Sequence, residues 1–203
     1  VPTLNSSVAT KLLTKSPLHA WFGHPKLNPS NENTSNEAMD LGTACHAVLL
    51  ENNPDVIVVV EATDWRTNEA KQQRDWAKAD GKVALLRHEA AKVFEMATAA
   101  NNAIAASPDL DGIGECVPEQ TFVWEEERGG HKVWLRCRPD WVTKDNRVIL
   151  SYKTTGQNAE PDAYVKTMLN GGFEMQAAFE LSGVEAVTGV RPDHYIWIVQ
   201  EVQ

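Results

Sequence analysis

Arg136-Cys-Arg-Pro-Asp140-Trp-Val-Thr-Lys-Asp-Asn-Arg-Val-Ile-Leu150-Ser-Tyr-Lys-Thr-Thr155 is the stretch on which the reading of this chain turns. Residues 131–142 are strand-like, 144–146 supply a polar turn, and 148–153 are strand-like again. Alternate side chains share one face of a strand. Ser151 and Lys153 therefore point one way, and Leu150 and Tyr152 the other. Hairpin pairing brings Asp140 close to the Ser151–Lys153 pair. Just upstream, 117–124 also reads as a strand, and the charged segment 125–130, with Gly129-Gly130 at its end, turns it into the next. Together the three strands form a meander.

On the C-terminal side, 161–169 reads as a short helix. Residues 174–187 read as a second, with Met175, Ala178, Phe179, Ala186 and Val187 inward. Residues 195–202 are nearly all apolar, as expected of a strand in a sheet interior. On the N-terminal side the clearest helix is 86–106, where Leu86, Ala90, Val93, Ala97, Ala100 and Ile104 form one stripe. Before it come a helix at 38–50, a short buried β-branched strand at 56–60, and a loop leading into a surface helix within 64–80. Ser6-Ser7 caps one or two helical turns over 8–13, Ser16-Pro17 ends them, and 24–35 is a loop rich in Pro, Asn and Ser. This order predicts a mixed α/β sheet with helices on its faces. The expectation is one domain over 1–203, with 1–37 as an N-terminal extension and 38–203 as the core.

Composition narrows the classes. The 203 residues are 42 % hydrophobic and 23 % charged, which excludes wholesale disorder and fibrous repeats. No apolar run approaches the ~20 residues that span a bilayer, and the N-terminus does not read as a secretion signal. Cys45, Cys116 and Cys137 lack C-x-x-C spacing, which argues against a disulfide framework or a zinc knuckle. A reducing cytoplasmic setting is the expectation. The formal net charge of −9 disfavours a basic coat for nucleic acid but leaves room for a local basic or metal-lined channel.

Asp140, Ser151 and Lys153 on one sheet face would suit metal-assisted phosphodiester hydrolysis. A carboxylate holds Mg²⁺, and a lysine can orient water and offset developing charge. The alternative is structural: Asp140 caps a turn and Lys153 is a solvated strand residue. His46, within an apolar helical stretch, is either a packed core histidine or a ligand. Gln176 and Glu180 are four residues apart on one helix and share a face. Glu115 and Glu119 are further carboxylates just before the meander.

Five segments occur in order: Gly42-Thr-Ala-Cys-His46-Ala-Val-Leu-Leu, Asp64-Trp-Arg-Thr, Arg136-Cys-Arg138-Pro-Asp140-Trp, Tyr152-Lys153-Thr-Thr and Phe173-Glu-Met-Gln176-Ala-Ala-Phe179. Together they resemble the nuclease domain of phage and prophage RecE-type exodeoxyribonucleases (exonuclease VIII), in the PD-(D/E)xK superfamily. The resemblance implies a restriction-endonuclease-like core and cleavage of linear double-stranded DNA from the 5′ end. The product would be a 3′ single-stranded tail for recombination. It implies Mg²⁺, with Mn²⁺ as a substitute, held by His46, Asp140, the residue at 151 and the Tyr152 carbonyl, with Glu119 as a further acidic group. Lys153 would be the catalytic lysine, and Gln176 would hold the DNA end or the site. Arg66, Arg136, Arg138, Thr154 and Thr155 are the expected phosphate contacts, which set register more than sequence preference. A homo-oligomeric ring such as a tetramer, a RecT-type annealing partner and a phage or prophage origin in a bacterial cytoplasm are implied as well.

The pattern departs at two positions. Ser151 stands where an aspartate is expected, and Glu180 where the late helix commonly has tyrosine. Losing ~3–4 kcal/mol of transition-state stabilisation at 151 would slow turnover by roughly 10²–10³. Three explanations compete: an engineered substitution that traps substrate, a natural pseudo-nuclease, or another carboxylate such as Glu119 or Glu115 taking over. The first is the expectation, because the other site elements are intact. The rival function is a non-catalytic DNA-end-binding or assembly module. An apolar strand at the chain's end predicts further sequence beyond Gln203.

Overall fold

A computed structural model describes residues 3–24, 26–30 and 37–202, with side chains described from residue 40 onward in the last segment. The chain divides into two compact units, one of Val1–Thr34 with Ile113–Glu201 and one of Ser35–Gly112. The loop expected over 24–35 lies in part outside the described residues.

The first unit opens with α1 (Ser6–Thr14) and α2 (Pro17–Phe22). Asn5, rather than Ser6 or Ser7, caps α1: its Oδ1 accepts from Val8 N at 2.9 Å. Ser16-Pro17 does more than end α1. Ser16 Oγ accepts from His19 N, and Pro17 sits at the first position of α2, where its missing N–H costs nothing.

The second unit holds α3 (Glu37–Leu50), β1 (Ile57–Val60), α4 (Asn68–Ala79), β2 (Val83–Leu86) and α5 (Arg87–Ala106). The parallel pairing of β1 with β2 runs from Ile57↔Val83 to Val60↔Leu86, with α4 as the connection. Val60, Ala70, Ala77, Ala84 and Leu86 form a small core. Buried Ala90, Val93, Met96, Ala97 and Ala100 follow the stripe read from sequence. Two expectations change. The strand β2 was hidden in front of the long helix: Leu86 N donates to Glu89 Oε2 at 2.8 Å, which starts the helix at Arg87. The strand β1 is only partly buried, with Val59 exposed, because a two-stranded sheet covers little of itself.

The first unit resumes with β3 (Cys116–Pro118), β4 (Phe122–Arg128), β5 (His131–Cys137), β6 (Trp141–Thr143), β7 (Val148–Thr155), α6 (Pro161–Gly171), α7 (Phe173–Thr188) and β8 (His194–Glu201). Its four-stranded sheet has the order β3-β6-β7-β8, and β4-β5 is a separate hairpin. The pairs β3/β6 and β6/β7 are antiparallel, while β7/β8 is parallel. This is the mixed α/β architecture predicted, but the simple meander is corrected. Register runs from Cys116↔Thr143 to Pro118↔Trp141, then resumes at the same offset from Phe122↔Cys137 to Arg128↔His131. One long hairpin is thus interrupted over 119–121 and 138–140. Pro118 and Pro139 bring no N–H to a ladder, and Glu119 takes a left-handed backbone, φ 51°. A backbone bond, Glu119 N to Asp140 O at 2.9 Å, spans the interruption.

The core of this unit joins Phe122, Trp124, Leu135, Cys137, Val142, Ile149 and Val184. The buried face of α7 is Glu180, Gly183 and Val184, while Ala178, Ala186 and Val187 are exposed, contrary to expectation. Gly183 explains the choice. A Cβ there would lie 2.6 Å from Cys137 Sγ and 2.6 Å from Trp124 Cζ3, so the helix is seated against the hairpin at its glycine. The strand β8 is the sheet's edge among the described residues and is half-buried rather than interior.

Candidate active site

The interruption in the hairpin sets the site. Asp140 leaves the end of β5 through Pro139 and lies beside the middle of β7. Its Oδ2 accepts from Ser151 Oγ at 2.9 Å and from Tyr152 N at 2.7 Å. Lys153 Nζ donates to Ser151 Oγ at 3.0 Å and lies 3.9 Å from Asp140 Oδ2. The structure therefore brings Asp140, Ser151 and Lys153 together on the face that strand alternation specifies. Lys153 also faces the rings of Trp197 (5.4 Å) and Phe173 (5.9 Å). Two aromatic faces and one hydroxyl fix the direction of its ammonium group.

Opposite Asp140 is Glu119. Carboxylate oxygens of the two lie within 4.8 Å of each other. Arg138 Nε binds Glu119 Oε2 at 2.7 Å. A non-glycine residue held at positive φ costs of order 1–3 kcal/mol, so the local structure spends stability to aim this side chain.

A second polar group lies behind Ser151. Gln176 Nε2 donates to Glu180 Oε1 at 2.9 Å, and Tyr195 Oη donates to Glu180 Oε2 at 2.8 Å. Burial raises the Glu180 carboxyl above its ordinary range. Its two hydrogen bonds and Lys153 oppose that shift, and Asp140 adds to it. Burial and the Glu180 charge raise the Tyr195 hydroxyl far above its usual value. Among the described residues, no buried side-chain nitrogen or oxygen lacks a partner. Burial also pushes the nearby Cys137 thiol up to about 12, so it stays protonated and is no thiolate ligand at neutral pH.

A pocket of about 420 Å³ opens here, lined by Ser6, Ser7, Arg136, Arg138, Gln176 and Glu180 among others. The amino end of α1 and two guanidinium groups favour an anion such as phosphate. The site thus offers two carboxylates, a hydroxyl and a lysine beside an anion-binding wall.

The remaining expected site residues have these places. Arg136 and Arg138 line the pocket. Thr155 Oγ1 accepts from Gln157 N at 3.0 Å and so serves the turn after β7, while Thr154 is half-buried beside it. Arg66 and His46 belong to the other unit. Arg66 is exposed with Nε 3.5 Å from Asp64, and His46 is half-buried on α3. Glu115 is held at 2.7 Å by Lys144 on the exposed surface, so it does not serve the site. Sequence reasoning gave Tyr195, Trp197 and Phe173 no place in the site. The parallel register Ile149↔Tyr195 and Ser151↔Trp197 puts Tyr195 and Trp197 on the face of Ser151. The alternation Tyr195-x-Trp197 was the available signal.

No family model and no curated protein matches the chain. A solved structure does. The chain shares the fold of a presumed exonuclease. That protein, from Eubacterium rectale, aligns over 99 % of this chain and 68 % of its own, with 13 % identity and a TM-score of 0.59. A second structure, SSO0001, covers 80 % of this chain and 71 % of its own at 14 % identity, but its TM-score of 0.31 supports no inference. At such identities the likeness establishes fold alone.

The donor set fits a divalent cation. Glu119 and Asp140 offer hard carboxylate oxygens close together, and Mg²⁺ is commonly held by one or two carboxylates with water completing its shell. Among the described residues, no helix is long and apolar enough to cross a membrane.

Proposed function

We propose that this protein is a metal-dependent exodeoxyribonuclease that shortens linear duplex DNA from the 5′ end and leaves 3′ tails for recombination. The observation that carries the reading is the Asp140–Ser151–Lys153 constellation facing Glu119 beside a pocket lined by Arg136 and Arg138. The exonuclease-like fold agrees with it. The ring, the RecT-type partner, the phage setting and His46 as an added ligand belong to this reading through the resemblance in sequence.

Asp140 and Glu119 would hold Mg²⁺, which supplies a polarised phosphoryl oxygen and a more acidic water. Arg136, Arg138 and the amino end of α1 bind the phosphate backbone. Lys153, directed by Ser151 and the two rings, orients the attacking water and offsets charge on the phosphoryl oxygens. Asp140 fixes Ser151 and the Tyr152 amide, so β7 presents its polar face in one arrangement. A second reading, a DNA-end-binding module without catalysis, is favoured by Ser151 alone.

The test is a gel assay on linear duplex DNA labelled at the 5′ or 3′ end, in Mg²⁺. The unsubstituted chain is compared with Ser151→Asp and with Ser151→Asp/Lys153→Met. The expected result is shortening from the 5′ end by Ser151→Asp that falls at least about 10²-fold on adding Lys153→Met. No degradation by the unsubstituted chain or by Ser151→Asp, with both folded, overturns the nuclease reading and leaves end binding.

A further inference from the structure

The side of α2 that faces solvent is the one helical periodicity would bury. Leu18, Trp21 and Phe22 stand at i, i+3 and i+4 and share one side of the helix, yet they are 61 %, 43 % and 57 % exposed. The residue that α2 buries is Ala20. On α1, which packs against α2, no residue is buried, and Leu12 and Leu13 are exposed as well, Leu13 by 70 %. Trp21 and Phe22 meet edge to face with ring centroids 5.1 Å apart, so the two outward rings hold each other in place. A single exposed leucine needs no explanation. Five large apolar side chains exposed within residues 12–22 form a patch of the kind that marks an interaction surface.

Charge narrows what can cover it. Residues 1–31 contain Lys11, Lys15 and Lys26 and no Asp, Glu or Arg, a formal charge of +3. The whole chain is −9, so residues 32–203 carry −12. The three lysines are exposed. Two such faces set against each other would bring +3 to +3, and like charges brought together at a contact oppose it. Against the acidic remainder of another copy, the same face gains attraction at its lysines while its leucines and rings leave water. Every molecule of this protein therefore carries both halves of a contact between unlike faces.

We propose that α1 and α2 of one copy dock head to tail on the acidic surface of a second copy of this chain. Leu13, Leu18, Trp21 and Phe22 form the centre of the contact, and Lys11, Lys15 and Lys26 its rim. Unlike faces in contact build closed rings or open chains rather than a two-fold dimer. The assembly in the reading above has no surface assigned to it; exposure and charge supply one here. The chemistry proposed for Asp140 and Lys153 does not depend on it.

The test is sedimentation equilibrium of the chain without DNA, from about 1 to 100 µM, at low and at high salt. The unsubstituted chain is expected to reach at least twice its monomer mass and to dissociate as salt rises, since screening weakens attraction between unlike charges. Leu18→Ser/Phe22→Ser is expected to weaken self-association at least about tenfold, and Lys11→Glu/Lys15→Glu to weaken it as well. Neither should lower the melting temperature, because these side chains are exposed. Leu18→Ser/Phe22→Ser keeps its acidic face, so a fluorescently labelled trace of it should still bind the unsubstituted chain. A monomer under all these conditions, or one that instead binds vesicles of anionic lipid, overturns the proposal and leaves the nuclease reading standing. So does association untouched by both variants. Association that strengthens with salt and excludes the labelled variant overturns the head-to-tail contact in favour of a two-fold one.

Discussion

At Gly183 one missing methyl group decides how α7 meets the hairpin. Alanine in a helix interior is ordinarily favoured over glycine by ~1 kcal/mol. Here the new Cβ would stand 2.6 Å from Cys137 Sγ and between 2.6 and 2.7 Å from two ring carbons of Trp124. These are buried atoms of the core, and overpacking costs ~1–3 kcal/mol. The steric term wins, so Gly183→Ala is expected to lower stability by ~1–2 kcal/mol in chemical denaturation. It should also disturb Glu180, one turn earlier on the same face. An unchanged or higher unfolding midpoint would show that the helix is not seated there. At this same scale Asp140, Ser151 and Lys153 were legible in sequence, because a strand has period two and a short turn leaves little freedom in register. Tyr195 was not, since its meaning depends on a parallel pairing between segments far apart in sequence. Glu180 was seen as one of two residues sharing a helix face and as a departure from the resembled pattern, but not as a buried residue. Which face turns inward is decided by Gly183, and a glycine within an apolar stripe gives no hydrophobic signal.

The turn between β6 and β7 sets how Asp140 and Ser151 register with each other. Thr143 Oγ1 donates to Asp145 Oδ1 at 2.6 Å, and Arg147 N donates to the same oxygen at 3.1 Å. Val148 N donates to Thr143 Oγ1 at 3.0 Å. These bonds favour the ionised carboxylate and hold Asp145 below the usual carboxylate range, with Thr143 the largest cause. The folded protein therefore binds fewer protons at Asp145 than the unfolded chain in the window just below the ordinary value of 3.8. Stability from this group is fully present above that value and is lost as pH falls through the depressed folded value. Asp145→Ala should lower the melting temperature at pH 7, and the deficit should narrow once pH drops below 3.8. A deficit that widened on acidification would contradict the hydrogen-bond account. The elements flanking this turn were legible, since alternation and turn residues are local signals. The interruption at Glu119 and Asp140 was not. Residues 117–124 and 131–142 read as unbroken strands, because a strained, non-glycine φ at Glu119 leaves no mark in hydrophobic pattern.

For the molecule as a whole, charge sets the terms on which DNA is met. The formal net charge is −9, so long-range forces repel a polyanion. Attraction must come from the pocket, where Arg136, Arg138 and the amino end of α1 converge. These two effects respond differently to salt. The Debye length falls to ~8 Å at 0.15 M, which screens repulsion from distant acidic surface before it weakens close contacts. Each phosphate neutralised contributes a slope of about −0.9 to log K against log salt. With two to four such contacts, duplex-end binding, measured by fluorescence anisotropy in Ca²⁺ to hold the DNA intact, should show a slope of about −2 to −4 above ~0.15 M. Below that concentration the plot should flatten, as the general repulsion grows back. Arg136→Gln/Arg138→Gln should make the slope shallower by about 2 and weaken binding alike for different sequences, as phosphate contacts do. A steep slope near −10 that persists in that double variant would mean that DNA is held by a basic surface elsewhere. The pocket beside Asp140 would then not be where the DNA end sits.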